Sequence, residues 1–114
     1  MNHDLVYLRD ALDSARAARD YLKGVSREQF LELREKQDAV MRALEVLGEA
    51  AGRLSQEGRD ALPDVRWRRL VGMRNILIHR YDNVDLDIVY DTVMDNLPKL
   101  IERLEAFLDQ QDSP

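Results

Sequence analysis

The chain has 114 residues, a net charge of −5, 45% hydrophobic and 34% charged residues, and no cysteine. That length carries one core rather than two, and the missing cysteines exclude disulfides and thiolate metal sites and fit a reducing compartment. No apolar run approaches the ~20 residues that span a bilayer, and the negative balance argues against loose general binding to nucleic acid.

The first helix is expected from about Asp4 to Leu22, because Leu5, Leu8, Leu12, Ala15 and Leu22 recur at three- and four-residue steps and form one stripe. Lys23 and Gly24 supply its stop. Ser26 opens the second helix, with Gln29 placed to complete a capping box. Phe30, Leu33, Val40, Leu44, Leu47, Ala51 and Leu54 continue the stripe, with Gln37 as the one polar intruder. The pattern predicts an unbroken helix of ~28 residues, or ~42 Å. A helix so long in so small a chain suggests an exposed end covered by another subunit. Gly48 and Gly52 lie four apart within it. Each costs ~1 kcal/mol relative to Ala, so close approach of another helix is expected there.

Ser55, Gly58 and Pro63 interrupt the pattern, leaving room for a short extra helix near residues 55–62. Asp64 is the expected N-cap of a third helix from about Val65 to His79. Tyr81-Asp82-Asn83 reads as a turn. Asp85 then caps a fourth helix from about Leu86 to Leu108, in which Pro98 should cause a kink or break. Four amphipathic helices with short connections imply an all-α, antiparallel up-and-down four-helix bundle, one domain over residues 1–114. The polar start, Met1-Asn2-His3-Asp4, lacks the pattern of a signal peptide. A cytoplasmic protein with no membrane contact is expected.

Charge is unevenly spread. Residues 53–80 hold seven Arg (53, 59, 66, 68, 69, 74 and 80) and three acids (Glu57, Asp60 and Asp64), a local +4 that leaves −9 on the remainder. A selective phosphate site needs such a basic zone. A solvated, Arg-rich helix face would give the same count.

Within this zone, Arg74-Asn75-Ile76-Leu77-Ile78-His79-Arg80-Tyr81 runs from an apolar helix end into a polar turn. Asn75 and His79 share a helix face. Arg74 and His79 are ~140° apart around a helix. They meet at one substrate only if it lies across the helix end or if two copies of the motif combine. Histidine, with an unperturbed pKa of ~6.5, suits proton transfer near neutrality. Arginine offers a permanent charge and a planar fork matched to phosphate oxygens. Asn75 is suited to positioning a ribose hydroxyl or orienting His79. Cleavage of RNA by its own 2′-hydroxyl needs these functions.

The pattern R-x-x-x-x-H-x-Y, filled by Arg74, His79 and Tyr81, resembles the signature of the HepT-like HEPN toxin family. Asp38-Ala39-Val40-Met41-Arg42, Gly48-Glu49-Ala50, Pro63, Trp67, Gly72-Met73-Arg74-Asn75 and the stretch from Val84-Asp85 to Leu97-Pro98 extend the resemblance over about residues 5 to 108. It implies a helical homodimer that cuts RNA without a metal or other cofactor, at a cleft where two motifs face each other. It implies Arg74 and His79 as catalytic residues and Asn75 in support. It also implies a partner, a minimal nucleotidyltransferase (MNT) antitoxin, which neutralises the toxin by attaching AMP to Tyr81 and can form a larger heteromeric complex with it. The alternative is a non-catalytic helical partner or substrate-binding subunit of that transferase.

Other residues have plainer readings. His79 in a last helical turn also suits a C-terminal cap, Arg74 a surface ion pair, and Tyr81 a core edge. Trp67 is expected in the core or an interface rather than as a base-stacking platform. His3 is given no role. Asp87, Asp91 and Asp95 at four-residue spacing suggest a solvated acidic stripe, or a face for a basic partner. Asn83, Asp85 and Asp87 resemble the start of a calcium loop, but Ile88 stands where that loop needs glycine. No His/Glu spacing supports zinc.

Overall fold

A computed structural model describes residues 2–112. Helix α1, Asn2–Tyr21, buries Leu8, Ala11, Leu12, Ala15 and Ala18, and Leu22 just beyond it is buried too. The three fully buried alanines lie among larger leucines on the inward stripe, which extends past the expected positions. Gly24, at φ +75, makes the left-handed turn that ends this segment. Ser26 and Gln29 form the expected capping box at the head of α2, Arg27–Glu32.

The predicted long second helix is broken. Leu33 leaves the helical region (φ −102, ψ 90), and α3, Arg34–Arg53, starts anew after it. Phe30 is fully buried, with its ring 5.7 Å from that of Tyr90, whose hydroxyl donates to the Val25 carbonyl at 2.9 Å. Arg27 pairs with Asp87 and Asp91 on the same neighbouring helix. Packing therefore turns α2 away from the α3 axis. In an unbroken helix the Phe30 carbonyl would accept from the amide four residues on. Here the Leu33 amide and the buried Gln37 side chain donate to it instead, at 3.3 and 3.0 Å. The polar intruder in the stripe mends the break. With it goes the argument that an overlong helix needs a second subunit to cover its end.

The short extra helix forms as α4, Gln56–Asp60, capped by Ser55. Its corner is held by Asp4 of α1, which is almost fully buried and accepts from the Ser55 amide (2.9 Å) and hydroxyl. These two bonds, the hydroxyl first, hold the Asp4 carboxyl below its usual range. Gly58 leaves the space the carboxylate occupies, since a Cβ there would stand 2.7 Å from its carbon.

Helix α5, Trp67–His79, begins two residues later than expected, with Arg66 rather than Asp64 at its N-cap and no side-chain cap. Asp64 instead forms an exposed ion pair with Arg103 at 3.0 Å. The start is fixed by burial of Trp67, whose indole N–H donates to the Leu62 carbonyl at 3.2 Å. Trp67 thus belongs to the core. A 3₁₀ turn, Tyr81–Asn83, leads to Asp85, which caps α6, Leu86–Asp91, as expected.

A π turn, Thr92–Asn96, joins α6 to α7, Leu97–Asp112. Pro98 has no amide to offer the carbonyl four residues back, and the Leu97 amide bonds five residues back to Thr92. The helix axis absorbs the proline as a change of register. That change also divides the acidic stripe: Asp87 and Asp91 engage Arg27, whereas Asp95 borders a groove beside α5.

The described residues are all-α, with no strand among them. Helix α1 packs against both α3 and α7, and α3 packs against both α1 and α5. Gly48 sits where α3 meets α5. A Cβ on it would stand 2.3 Å from the Arg74 Cβ and 2.7 Å from the Leu70 carbonyl oxygen. The close approach expected from the glycine is therefore real, and its partner is the motif helix.

Candidate active site on the motif helix

The motif occupies the last turns of α5 and the turn that follows. Arg74 is half-buried, with its Cβ against Gly48 and its Nη1 donating to the Asn75 side-chain oxygen at 3.1 Å. Its Nε is buried without a hydrogen-bond partner. Asn75 and His79 are exposed on the outer face, one helical turn apart. His79 is the last residue of α5, and the Arg80 amide closes the helix on the Ile76 carbonyl at 2.8 Å. Arg74 and His79 thus both lie outside the apolar core, at different angles around the helix.

Tyr81 begins the 3₁₀ turn. Its hydroxyl meets neither Arg74 nor His79 but donates to the Asp38 Oδ1 at 2.5 Å. Arg34 Nε donates to the same oxygen at 3.1 Å. The Tyr81 hydroxyl, and less strongly Arg34, hold the Asp38 carboxyl below its usual range. Conversely, the ionised Asp38 raises the Tyr81 phenol, because a phenolate there would face a carboxylate. Neither Asp38 nor Arg34 was assigned a site role from sequence. The four-residue step from Arg34 to Asp38 signals an ion pair along a helix. Nothing in the local pattern signals a tyrosine 43 residues further on.

On its other flank α5 borders α6 and α7 across an opening. Between it and α6–α7 runs an open groove of about 1120 Å³ with Met73, Leu77, Val89, Leu97 and Leu100 among its lining residues. Ile76 and Ile88 stand on its margins and are both more than half exposed. Arg66, Arg69 and Arg80 edge it from the α5 side. The basic zone seen in sequence is thus partly solvent-facing around the motif, since Arg66, Arg68, Arg69 and Arg80 are all exposed. Among the described residues, no three His, Cys, Asp or Glu side chains stand together in the manner of a metal site, and no helix is long and apolar enough to cross a membrane.

The chain is similar to several proteins with ribonuclease names. It is 34% identical over 99 residues to "Putative RNase MJ1380" of Methanocaldococcus jannaschii, covering 87% of this chain and 91% of that protein. It is 32% identical over 99 residues to "Probable ribonuclease HepT" of Thermococcus cleftensis, covering 87% and 90%. Against "Putative RNase TTE0752" of Caldanaerobacter subterraneus it is 31% identical over 105 residues, covering 92% and 94%. No solved structure matches it at a significant level. The family described as Ribonuclease HepT-like matches residues 11–107, which take in α3, the motif helix, the turn with Tyr81 and most of α7. The chain belongs to the HepT-like ribonuclease family.

Proposed function

We propose that this protein is the toxin of a HEPN/MNT toxin–antitoxin pair, a metal-independent endoribonuclease neutralised by nucleotidylation of Tyr81. The observation that carries this reading is the exposure of His79 at the end of α5, on the same short segment as a half-buried Arg74 and amid exposed basic side chains. A 2′-hydroxyl attacks the adjacent phosphorus, its proton passes to an imidazole, and the departing 5′-oxygen receives a proton from another. The Arg74 guanidinium offsets the charge that builds on the phosphoryl oxygens, and Asn75 steadies the ribose or the imidazole.

One chain brings one motif imidazole, so acid and base together call for two copies. The apolar groove beside α5, with Ile76 and Ile88 on its margins, gives a second copy a surface to cover next to the motif. Together two chains form the homodimer with a composite cleft. AMP on Tyr81 adds bulk and a phosphodiester charge on the turn that follows His79, which repels the RNA backbone.

The test is purified protein with total RNA and a chelator, wild type against His79→Ala and Arg74→Ala. Cleavage by the wild type, lost in both variants, is the expected result. A chain that binds the transferase tightly yet leaves RNA intact at every concentration is instead the non-catalytic partner of that enzyme. A mixed dimer of wild-type and His79→Ala subunits with full activity would refute the shared site.

A further inference from the structure

The Tyr81 hydroxyl is held differently from those of the other tyrosines. That of Tyr90 donates to a backbone carbonyl, which cannot accept a proton. Those of Tyr7 and Tyr21 have no hydrogen-bond partner among the described residues. Tyr81 alone of the four places its O–H on a carboxylate, at 2.5 Å, while 40% of the residue remains open to solvent. Arg34 donates to the same Asp38 oxygen and so helps to fix the carboxylate.

We propose that Asp38 is the proton acceptor when Tyr81 is nucleotidylated, with Arg34 as its positioning residue. This rests on the reading of Tyr81 as the modified residue. A phenol ionises near pH ~10 and is a weak nucleophile at neutrality. In the transfer, the Tyr81 oxygen bonds to the α-phosphorus of adenosine triphosphate, and the bond from that phosphorus to the bridging oxygen breaks. Pyrophosphate leaves with the electron pair, and the phenolic proton passes to Asp38.

The carboxylate is a weak base, but the hydroxyl grows more acidic as the O–P bond forms. Proton transfer late in that step is therefore downhill. The product can no longer donate to Asp38, so modification itself undoes the bond between the turn and α3. Arg34, three-quarters exposed at its side chain, is then the nearest cation to the new phosphodiester among those bonded to this cluster. The raised Tyr81 phenol agrees with an ionised Asp38 beside it.

The experiment uses the full chain, a purified minimal nucleotidyltransferase and magnesium adenosine triphosphate. The rate of adenylyl gain at Tyr81 is read by mass spectrometry across pH. Asp38→Asn keeps the shape and loses the base. Its rate should fall by about 10²–10⁴-fold and rise steadily with pH, as free phenolate becomes the nucleophile. Asp38→Glu should recover part of the rate and the flatter wild-type profile, which a merely structural role would not restore.

Absorbance titration of the phenols, with Tyr81→Phe subtracted, should show Tyr81 ionising at lower pH in Asp38→Asn than in wild type. An Asp38→Asn chain modified at the wild-type rate with an unchanged pH profile overturns the proposal, whatever becomes of the Tyr81 reading. A wild-type chain that takes no AMP, or takes it on another residue, overturns that reading and this proposal with it.

Discussion

Two aspartates lie at two corners of this protein, and each accepts from one hydroxyl and one nitrogen donor. Asp4 is almost fully buried, accepts both donors of Ser55, and fills the space that Gly58 leaves open. Asp38 is nearly half exposed at its side chain and accepts from Arg34 and from the hydroxyl of Tyr81. Both carboxyls are held below their usual range, in each case chiefly by a neutral hydroxyl donor. A lowered carboxylate therefore does not by itself mark a working site. What separates the corners is water. The Asp4 carboxylate is shut away from it although Ser55, its donor, is exposed, whereas the Asp38 carboxylate meets it directly.

The comparison can be broken by experiment, beginning with the largest effect. At the exposed end of α5, outside both corners, His79→Ala should cut RNA cleavage by about 10²–10⁴-fold with no change in the urea unfolding midpoint. A large loss of stability there would mean that this end of α5 holds the fold rather than serves it. At the buried corner, Asp4→Ala removes both hydrogen bonds that the carboxylate accepts from Ser55. It should lower unfolding free energy by roughly 3 kcal/mol, with RNA cleavage per folded molecule retained.

Between the corners, Gly48→Ala would stabilise an open helix. Here it should cost about 2–3 kcal/mol, because the new methyl meets the Arg74 Cβ and the Leu70 carbonyl. It should also lower activity by displacing Arg74.

A pH series sharpens the contrast. Asp4 has a folded pKa below the unfolded value of 3.8. Its contribution is complete above that value and is lost as the pH falls through the folded pKa. The stability gap between wild type and Asp4→Ala should therefore close in acid. The smallest expected effect on the fold is that of Tyr81→Phe. It removes one exposed hydroxyl and should leave unfolding unaltered while making growth arrest resistant to the transferase.

Much of this architecture was legible in the chain because its signals are local. The Ser26–Gln29 capping box, the Asp85 cap, the stop at Gly24 and the Pro98 disturbance all act within about one helical turn. The four-residue spacing of Gly48 and Gly52 announced a close approach without naming what approaches. The break at Leu33 was hidden because every neighbour favours continued helix. It is dictated by Phe30 and Arg27 packing against α6, some 60 residues away, and Gln37 was its one local trace. Asp64 looked like a cap by residue type, yet the buried indole of Trp67 decided where the helix begins.

For the site, the segment from Arg74 to Tyr81 could be picked out because its residue types suit the chemistry. The tie from Tyr81 to Asp38 depends on how two helices cross, and no spacing rule along the chain records that.

The π turn before Pro98 makes the number of residues between Asp85 and Pro98 a setting rather than a convenience. If the same residues ran as an unbroken α-helix, α6 would rotate by about 100° relative to α7, because the wide turn takes up one residue more than an ordinary ladder holds. Val89 would then swing out of the interior, and Asp87 and Asp91 would move out of reach of Arg27. Further insertions in this family should therefore avoid that stretch and collect at the α4–α5 connection, where the chain winds through exposed Ala61, Pro63 and Asp64 with room to change length.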